Sequence, residues 1–238
     1  MHRFFLPNLQ QPLLSAEEAH HALHVLRLKV GDTLNVFDGR GHEAQARIAE
    51  ITKDSVRLTI LQHSNTPPLP CRITLAQAIP KKSMDLIVQK ATELGVTSIV
   101  PLVSERSVVK LDEDSKRIER WHEIALEACK QCGNNWLPEI QPPRKSREFL
   151  NSPGQFDLKL IASLQPDSKP LKKILGESTA PKSVLILIGP EGDFTPAELG
   201  LAKSAGCLPL SLGPLVLRAD TAAIYTLSIL HHELQTSV

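Results

Sequence analysis

Two apolar segments near the end of the chain, each followed directly by a glycine–proline turn, constrain the fold more than any other feature. The first covers 183–188 and continues as Gly189-Pro190-Glu191-Gly192, and the second covers 207–212 and continues as Gly213-Pro214. Runs of branched aliphatic residues that end in glycine are typical of strands buried on both faces of a parallel sheet. Ligands in such sheets bind outside the carboxyl ends of the strands, where both turns must lie. Two similar turns so close in sequence predict one pocket with two walls.

Length and composition place the chain among soluble globular proteins. It has 238 residues, of which 42% are hydrophobic and 22% charged, enough for one large or two ordinary domains. No apolar run is long enough to span a bilayer, and the first residues lack the apolar stretch of a secretory signal. Four scattered cysteines do not form a disulfide scaffold, so we expect a cytoplasmic protein with reduced thiols. The net charge of +1 gives no direct support for nucleic-acid binding, although a local basic patch would not show in the total.

Three prolines within four positions of the segment 65–70 predict an extended connection between two domains. The part before it favours a small β-barrel or sheet, because its segments alternate between apolar and polar residues. Ser15 and Glu18 form the pattern of a capping box and predict one helix from Ser15 to about Lys29. The predicted strands cover 33–37, 43–49 and 55–61, with a turn at 38–41 between the first two.

After the prolines, strands and helices alternate, which predicts a parallel α/β sheet. The last helix is almost wholly apolar from 222 to 230, so it lies either in the core or at a subunit contact. The predicted strands lie near 72–79, 98–103, 157–163, 183–188 and 207–212, and the predicted helices near 82–94, 115–132, 170–176, 195–205 and 220–234.

Several chemistries lack their motif in this chain. The turns at 189–192 and 213–214 match neither the dinucleotide pattern GxGxxG nor the phosphate-binding pattern GxxxxGK[ST], and no GxSxG elbow occurs. The turn at 189–192 is therefore either a ligand-binding loop or a plain strand-to-helix turn. Arg218 and Asp220, at the start of the last helix, either cap that helix, pair with each other, or present Arg218 to the pocket as a ligand for an anion or a carbonyl.

Two other groups of residues invite a metal or redox interpretation. Cys129 and Cys132 have no second pair of ligands at a suitable spacing, and helical periodicity accounts for both as small buried residues. His20 and His24 share one helix face but have no third ligand nearby in sequence. Packed or solvated side chains are the favoured interpretation, and no metal is expected.

Short motifs along essentially the whole chain point to a known family. They are 2–5, 20–21 with 25–27 and 31–32, 90–96, 127–128 with 131–133, 188–192, 212–214, and 216–218 with 221–222. The segments 188–192 and 212–222 are highly specific in this order and at this distance. Together these motifs resemble the SPOUT superfamily of knotted methyltransferases, and within it the enzymes that methylate uracil N3 at one position of 16S ribosomal RNA.

The resemblance implies an α/β fold with two domains. Residues 71–238 would form a SPOUT-type parallel sheet with a deep trefoil knot, and residues 1–70 a PUA-like small β-barrel that binds RNA. It also implies a homodimer that uses S-adenosylmethionine to methylate 16S rRNA of the small ribosomal subunit. The cofactor contacts carried over are Leu164, Ile188, Gly189, Pro190, Glu191, Gly192, Ser211, Leu212, Gly213, Val216, Leu217, Arg218 and Thr221.

Catalytic roles follow as a hypothesis. Arg218 is always protonated and cannot act as a base, so it would stabilise the uracil anion that forms when N3 loses its proton. The base would be Asp220, Glu191 or a water molecule. A non-catalytic RNA-binding assembly factor is the alternative, and it would need no donor pocket.

The RNA contacts implied by the resemblance are Arg3, His20 and Arg27. The chain also departs from the family pattern at a few positions. Leu215 stands where the family usually has arginine, and Asp220 stands for the more usual glutamate. After Gly133, where arginines are usual, the chain has Asn134, Asn135 and Trp136.

Overall fold

A computed structural model describes residues 2–52, 55–107, 115–177 and 180–235. The chain divides into two compact units, which are described separately below. The N-terminal unit is Met1–Pro68 with Leu126–Leu137, and the C-terminal unit is Leu69–Ala125 with Pro138–Val238. No helix among the described residues is both long enough and apolar enough to cross a bilayer.

The N-terminal unit is built on a four-stranded sheet in the order β1-β2-β3-β4. β1 runs parallel to β2, whereas the other pairs are antiparallel. The alternating residues of β2–β4 point their apolar side chains into one core, as their period of two predicts. The strands are β1 (Arg3–Phe5), β2 (Thr33–Phe37), β3 (His42–Ile51) and β4 (Val56–Asn65).

The helix of this unit is shorter than its pattern predicts. Helix α1 (Ala16–His20) is continued by a π-helical segment (His21–Val25), and the predicted extension to Lys29 is wrong. Arg27 has a φ of 56°, a left-handed conformation that ends the helix. Ser15 does cap the first turn, since its side chain accepts a hydrogen bond from the Glu18 amide at 3.2 Å. The capping box is one-sided, because the Glu18 carboxylate instead accepts from the Phe5 amide.

The segment Leu126–Leu137 completes the N-terminal unit through two residues at which the chain departs from the family pattern. Buried Asn135 accepts a hydrogen bond from the Arg3 guanidinium at 2.7 Å and donates to the Thr66 hydroxyl at 2.8 Å. Trp136 donates from its indole to the Thr66 carbonyl at 3.0 Å. A Cβ at Gly41 would lie 2.5 Å from the Trp136 ring, so this contact requires glycine there. Both residues therefore hold this unit together.

The C-terminal unit contains the parallel sheet that the alternation predicts. Its strand order is β10-β12-β9-β11-β5-β6-β7, with β8 also paired to β6, and every pair is parallel. The strands are β5 (Arg72–Ala78), β6 (Ser98–Val103), β7 (Glu139–Ile140), β8 (Arg144–Lys145), β9 (Leu158–Ala162), β10 (Lys169–Pro170), β11 (Ser183–Ile188) and β12 (Leu208–Ser211). The helices are α2 (Met84–Glu93), α3 (Ser115–Cys132), α4 (Ser146–Asn151), α5 (Leu171–Glu177), α6 (Pro196–Ser204) and α7 (Ala219–Gln235).

Strand β11 lies at the centre of this sheet, between β9 and β5, and all six of its residues are buried. Its two faces pack against helices, which explains the unbroken aliphatic run in the sequence. Phe194 and Leu199, which follow β11, are buried in the same apolar cluster as Leu185 and Leu187. The loop after β11 is thus anchored to the core at its far end. The trefoil knot stays a prediction.

Glu198 is a buried carboxylate that joins three parts of the C-terminal unit. It is 0% exposed and accepts hydrogen bonds from the Thr195 amide at 2.8 Å, the Ser146 hydroxyl at 2.5 Å and the Glu105 amide at 3.1 Å. Thr195 caps helix α6 in return, so the two residues form a capping box at the start of this helix. Burial alone raises the pKa of Glu198, but the hydrogen bonds from Ser146, Thr195 and Glu105 outweigh it and hold the pKa below its usual value.

Replacing this carboxylate is expected to destabilise the fold. Glu198→Gln leaves at least one buried donor without a charged acceptor and should lower the free energy of unfolding by about 2 kcal/mol. Glu119→Gln, at an exposed position of α3, is the control and should change it by less than about 0.5 kcal/mol. Urea unfolding at neutral pH measures both.

The same variant should alter the pH dependence of stability. Because the folded-state pKa of Glu198 lies below its usual value, its contribution is present above the unfolded-state pKa and is lost as the pH falls through the folded-state pKa. Wild type should therefore lose more stability than Glu198→Gln between about pH 6 and pH 3. Equal losses in the two proteins would contradict this account of Glu198.

Candidate functional site

A cavity of about 500 Å³ opens at the carboxyl edge of the parallel sheet. It lies where three neighbouring strands, β12, β9 and β11, end and their loops begin. The loops are 163–168 after β9, 189–193 after β11 and 212–218 after β12, and the first residues of α7 complete the wall. The two glycine–proline turns thus face one cavity, as their sequences predict, and the loop after β9 adds a third wall.

Most of the residues predicted to hold a cofactor line this cavity. Gly192, Arg218 and Thr221 adjoin the lining residues in sequence without belonging to the lining. The predicted residues in the lining are Leu164, Ile188, Gly189, Pro190, Glu191, Ser211, Leu212, Gly213, Val216 and Leu217.

The mouth of the cavity combines exposed apolar side chains with a glycine in a backbone conformation that other residues rarely adopt. Leu164 is 61% exposed, Leu215 73% and Val216 78%, values that are unusual for aliphatic residues unless a ligand or a partner covers them. Gly213 has a φ of 111°, which side-chain-bearing residues rarely adopt. Its amide donates to the Ser211 hydroxyl at 3.4 Å, and this bond shapes the turn after β12.

Arg218 and Asp220 do not pair with each other. One Asp220 carboxylate oxygen accepts from the Thr221 amide at 2.7 Å, in the first turn of α7. The Arg218 side chain is exposed and has no hydrogen bond or ion pair with any residue that the structure describes. Arg218 precedes Ala219 of the cavity wall in sequence, and its guanidinium is therefore available to an anion or a carbonyl oxygen.

Two contacts that the sequence did not predict hold the loop after β11. The Glu191 carboxylate accepts from the Lys81 amide at 3.0 Å, and the Gly192 carbonyl accepts from the Arg106 guanidinium at 2.7 Å. Lys81 follows β5 and Arg106 follows β6, the next two strands along the same edge of the sheet. In the sequence, these two residues could have been singled out only by their position directly after predicted parallel strands.

The predicted RNA contacts fall into two groups. Arg3 is held inside the N-terminal unit: it pairs with Glu43 and its guanidinium lies 4.8 Å from the centre of the Phe37 ring, with the side chain only 13% exposed. This geometry favours a structural role. His20 and Arg27 are exposed, so both are accessible to RNA. Contact of all three residues with RNA stays a prediction.

The structure also bears on the cysteine and histidine clusters. Among the described residues, no group of three or more His, Cys, Asp or Glu side chains is placed to hold a metal ion. Cys132 is exposed, so the expectation of a buried side chain is wrong there. Cys129 is buried, and burial raises the pKa of its thiol to about 12. The thiol stays protonated at neutral pH and is a poor nucleophile, as a core cysteine should be.

Comparison with known proteins identifies the family. Residues 67–231 match the RNA methyltransferase domain family, and residues 14–61 match the RNA methyltransferase PUA domain family. The chain belongs to the RNA methyltransferase family. The N-terminal match agrees with a PUA domain in the N-terminal unit, and the parallel sheet of the C-terminal unit lies within the residues matched to the methyltransferase domain.

Individual members of the family are similar over nearly their whole length. The chain is 31% identical to ribosomal RNA small subunit methyltransferase E of Bacillus subtilis, over 98% of this chain and 97% of the relative. The enzyme of the same name from Neisseria gonorrhoeae, bound to S-adenosylmethionine, is 35% identical with a TM-score of 0.88 over 98% of both chains. The protein Lpg2936 of Legionella pneumophila, in complex with the same cofactor, is 38% identical with a TM-score of 0.89 over 97% of both chains.

The contact between Arg106 and Gly192 should control the mobility of the loop after β11. Arg106→Ala removes a charge-assisted hydrogen bond, so amide exchange over residues 189–194 is expected to become about threefold to tenfold faster. Arg147→Ala is the control, because Arg147 pairs with the neighbouring Glu105 and, among the described residues, not with this loop. Hydrogen–deuterium exchange measures both variants. An equal effect in the two, or unchanged exchange in Arg106→Ala, would refute this role for Arg106.

Proposed function

We propose that this protein transfers the methyl group of S-adenosylmethionine to N3 of a specific uridine in the 16S ribosomal RNA of the small ribosomal subunit. The observation that carries this assignment is the cavity formed by the loops after β9, β11 and β12. Membership of the RNA methyltransferase family supports it, as do two relatives whose structures hold S-adenosylmethionine. Residues 1–70 hold RNA and residues 71–238 carry out the reaction in this assignment.

The residues of the cavity suit S-adenosylmethionine in size and chemistry. A volume of about 500 Å³ lies within the range of roughly 300–1,000 Å³ that is usual for small-molecule sites. Apolar side chains of Ile188, Leu212 and Leu217 suit the adenine ring, while backbone groups around Gly189 and Gly213 suit its polar edges. The N-terminus of α7 adds the positive end of a helix dipole, which favours a carboxylate.

The chain's own residues must position uracil and stabilise its anion. S-adenosylmethionine supplies an electrophilic methyl group, carried on a positively charged sulfur. Uracil N3 becomes a good nucleophile only when it loses its proton, and the negative charge then spreads over the two flanking carbonyl oxygens. Arg218, exposed at the cavity wall and free of described partners, donates hydrogen bonds to that charge. Alignment of N3 with the methyl group supplies much of the remaining acceleration.

Three acceptors are available for the N3 proton: Glu191, Asp220 and water. Glu191 lines the cavity and has one carboxylate oxygen engaged by the Lys81 amide, which leaves the second oxygen for a proton. Asp220 is engaged by the Thr221 amide in the same manner. The variants Glu191→Gln and Asp220→Asn distinguish these three acceptors by their rates of methyl transfer. If one of the two carboxylates is the base, only its own variant loses turnover, and if water accepts the proton, both variants keep it.

The assignment extends to assembly and location. The protein acts as a homodimer in the cytoplasm, where its buried thiols stay reduced. The exposed apolar residues Leu215 and Val216 are candidates for the surface that a second subunit covers. Light scattering at micromolar concentration tests the dimer, for which twice the mass of 26.2 kDa is expected.

Arg218→Ala tests the proposed role of the guanidinium. The variant should bind S-adenosylmethionine with nearly wild-type affinity, because Arg218 lies outside the cavity lining. Methyl transfer to unmodified small ribosomal subunits should fall by about a hundredfold to a thousandfold, the usual cost of one lost anion-stabilising donor. Arg218→Lys keeps the charge but not the planar fork, and an intermediate rate is expected.

Calorimetry, methyl incorporation and mapping of the modified base decide the assignment. Normal turnover in Arg218→Ala would refute the role of Arg218. A wild-type protein that binds small subunits but not S-adenosylmethionine would instead support a non-catalytic assembly factor.

A further inference from the structure

A second, smaller cleft lies beside the cavity proposed for S-adenosylmethionine, which is called the donor cavity below. This cleft carries a concentration of positive charge. Its volume is about 220 Å³. Its floor is apolar and buried, with Ile79 4%, Met84 5% and Trp121 1% exposed. Four cationic residues and one carboxylate form the rim: Lys81, Lys82, Arg117, Arg120 and Asp85. The nearly neutral total charge of the chain thus conceals a local basic patch.

The position of the cleft follows from the order of the strands. Lys81 and Lys82 follow β5, which lies next to β11 in the parallel sheet, with Gln77 in register with Ile188. Loops after neighbouring parallel strands emerge side by side at the carboxyl edge. The Lys81 amide donates to the Glu191 carboxylate at 3.0 Å, and Glu191 also lines the donor cavity. One residue of the loop after β11 therefore separates the two sites.

Two of the four cations of the rim, Lys81 and Lys82, are poised for a ligand from outside the protein. The side chains of Lys81 and Lys82 are exposed, and neither has a partner among the residues that the structure describes. Arg120 is oriented by Asp85, to which it donates from Nε at 2.8 Å and from a terminal nitrogen at 2.6 Å. This pair fixes the guanidinium at the rim, and its other terminal nitrogen has no hydrogen bond with any residue that the structure describes. Two free ammonium groups beside an oriented guanidinium favour phosphate oxygens.

We infer that this cleft binds the sugar–phosphate backbone of the substrate RNA next to the target nucleotide. The inference rests on the proposed function, because it gives the RNA a track along the edge of the sheet from Lys81 to the donor cavity. Phosphate contacts fix the position of a nucleic acid, whereas contacts to the base select it. The methyltransferase unit thus takes part in holding RNA, in addition to the PUA domain to which Arg27 and His20 belong.

A double variant, Lys81→Ala/Lys82→Ala, tests the cleft. Alanine keeps the Lys81 amide and its hydrogen bond to Glu191, so the donor cavity should bind S-adenosylmethionine unchanged. The matched control is Lys172→Ala/Lys173→Ala, which removes an adjacent exposed lysine pair from α5 of the same unit. The primary measurement is equilibrium binding to unmodified small ribosomal subunits at several salt concentrations.

The cleft variant should bind these subunits about tenfold more weakly than the control at moderate salt, because two phosphate contacts are lost. The slope of log affinity against log salt should fall by about one to two, as expected for released counterions. A raised KM for subunits is expected in the methylation assay. Melting temperatures within a few degrees of wild type show that both variants fold.

Two results would overturn the inference: equal affinity and salt slope in the cleft and control variants, or a weakened affinity without any change in slope. Binding is measured independently of turnover, so its outcome is distinct from that of the proposed function. A wild-type protein that neither takes up S-adenosylmethionine nor methylates the subunits would refute the proposed function. The salt dependence of subunit binding would still show whether the cleft binds RNA.

Discussion

The pairing of β12, β9 and β11 as parallel neighbours is the constraint on which the rest of the site depends. Parallel pairing brings the carboxyl ends of all three strands to one edge, so loops that are up to fifty residues apart in sequence share a cavity. β11 can occupy the middle of the sheet only because its six residues are all apolar or small and are covered on both faces. A change of strand order would separate the two glycine–proline turns and remove the cavity.

The loop after β11 is held at several points, and this explains how a glycine-rich turn keeps its shape. Phe194 anchors its far end in the core, and Glu198 ties the following helix to α4 and to the segment after β6. Lys81 and Arg106 hold its rim from the two neighbouring loops. The loop after β12 is different, since Leu215 and Val216 stand exposed and Gly213 has no neighbour within 4 Å of an added Cβ. One wall of the cavity is thus braced by neighbouring loops, whereas the other stands exposed.

The sequence predicted the parts of the fold that depend on periodicity and local capping. Five of the eight strands of the parallel sheet and the N-cap at Ser15 were recovered because aliphatic runs and helix starts leave local signals. Strand β1 and the two-residue strands β7, β8 and β10 were missed, since so short a segment has no period. The end of α1 was misplaced because a left-handed Arg27 has no distinctive sequence signature.

The site was predicted less completely, for a different reason. The turns carry motifs that match a known family, so the cavity residues could be carried over from that resemblance. The contacts of Lys81 with Glu191 and of Arg106 with Gly192 join residues about a hundred positions apart, and no local pattern announces them. Asn135 and Trp136 were noted only as departures from a family pattern, yet they hold the N-terminal unit together. The structural role of Arg3 likewise depends on a partner distant in sequence, Asn135, so it was visible only in the structure.

A crystal structure of the protein grown with S-adenosylmethionine tests the central claim most directly. The account predicts density for the whole cofactor in the cavity between residues 188–191 and 211–217, with its methyl group toward the edge where Arg218 lies. An empty cavity at saturating cofactor, or cofactor bound elsewhere on the chain, would contradict it.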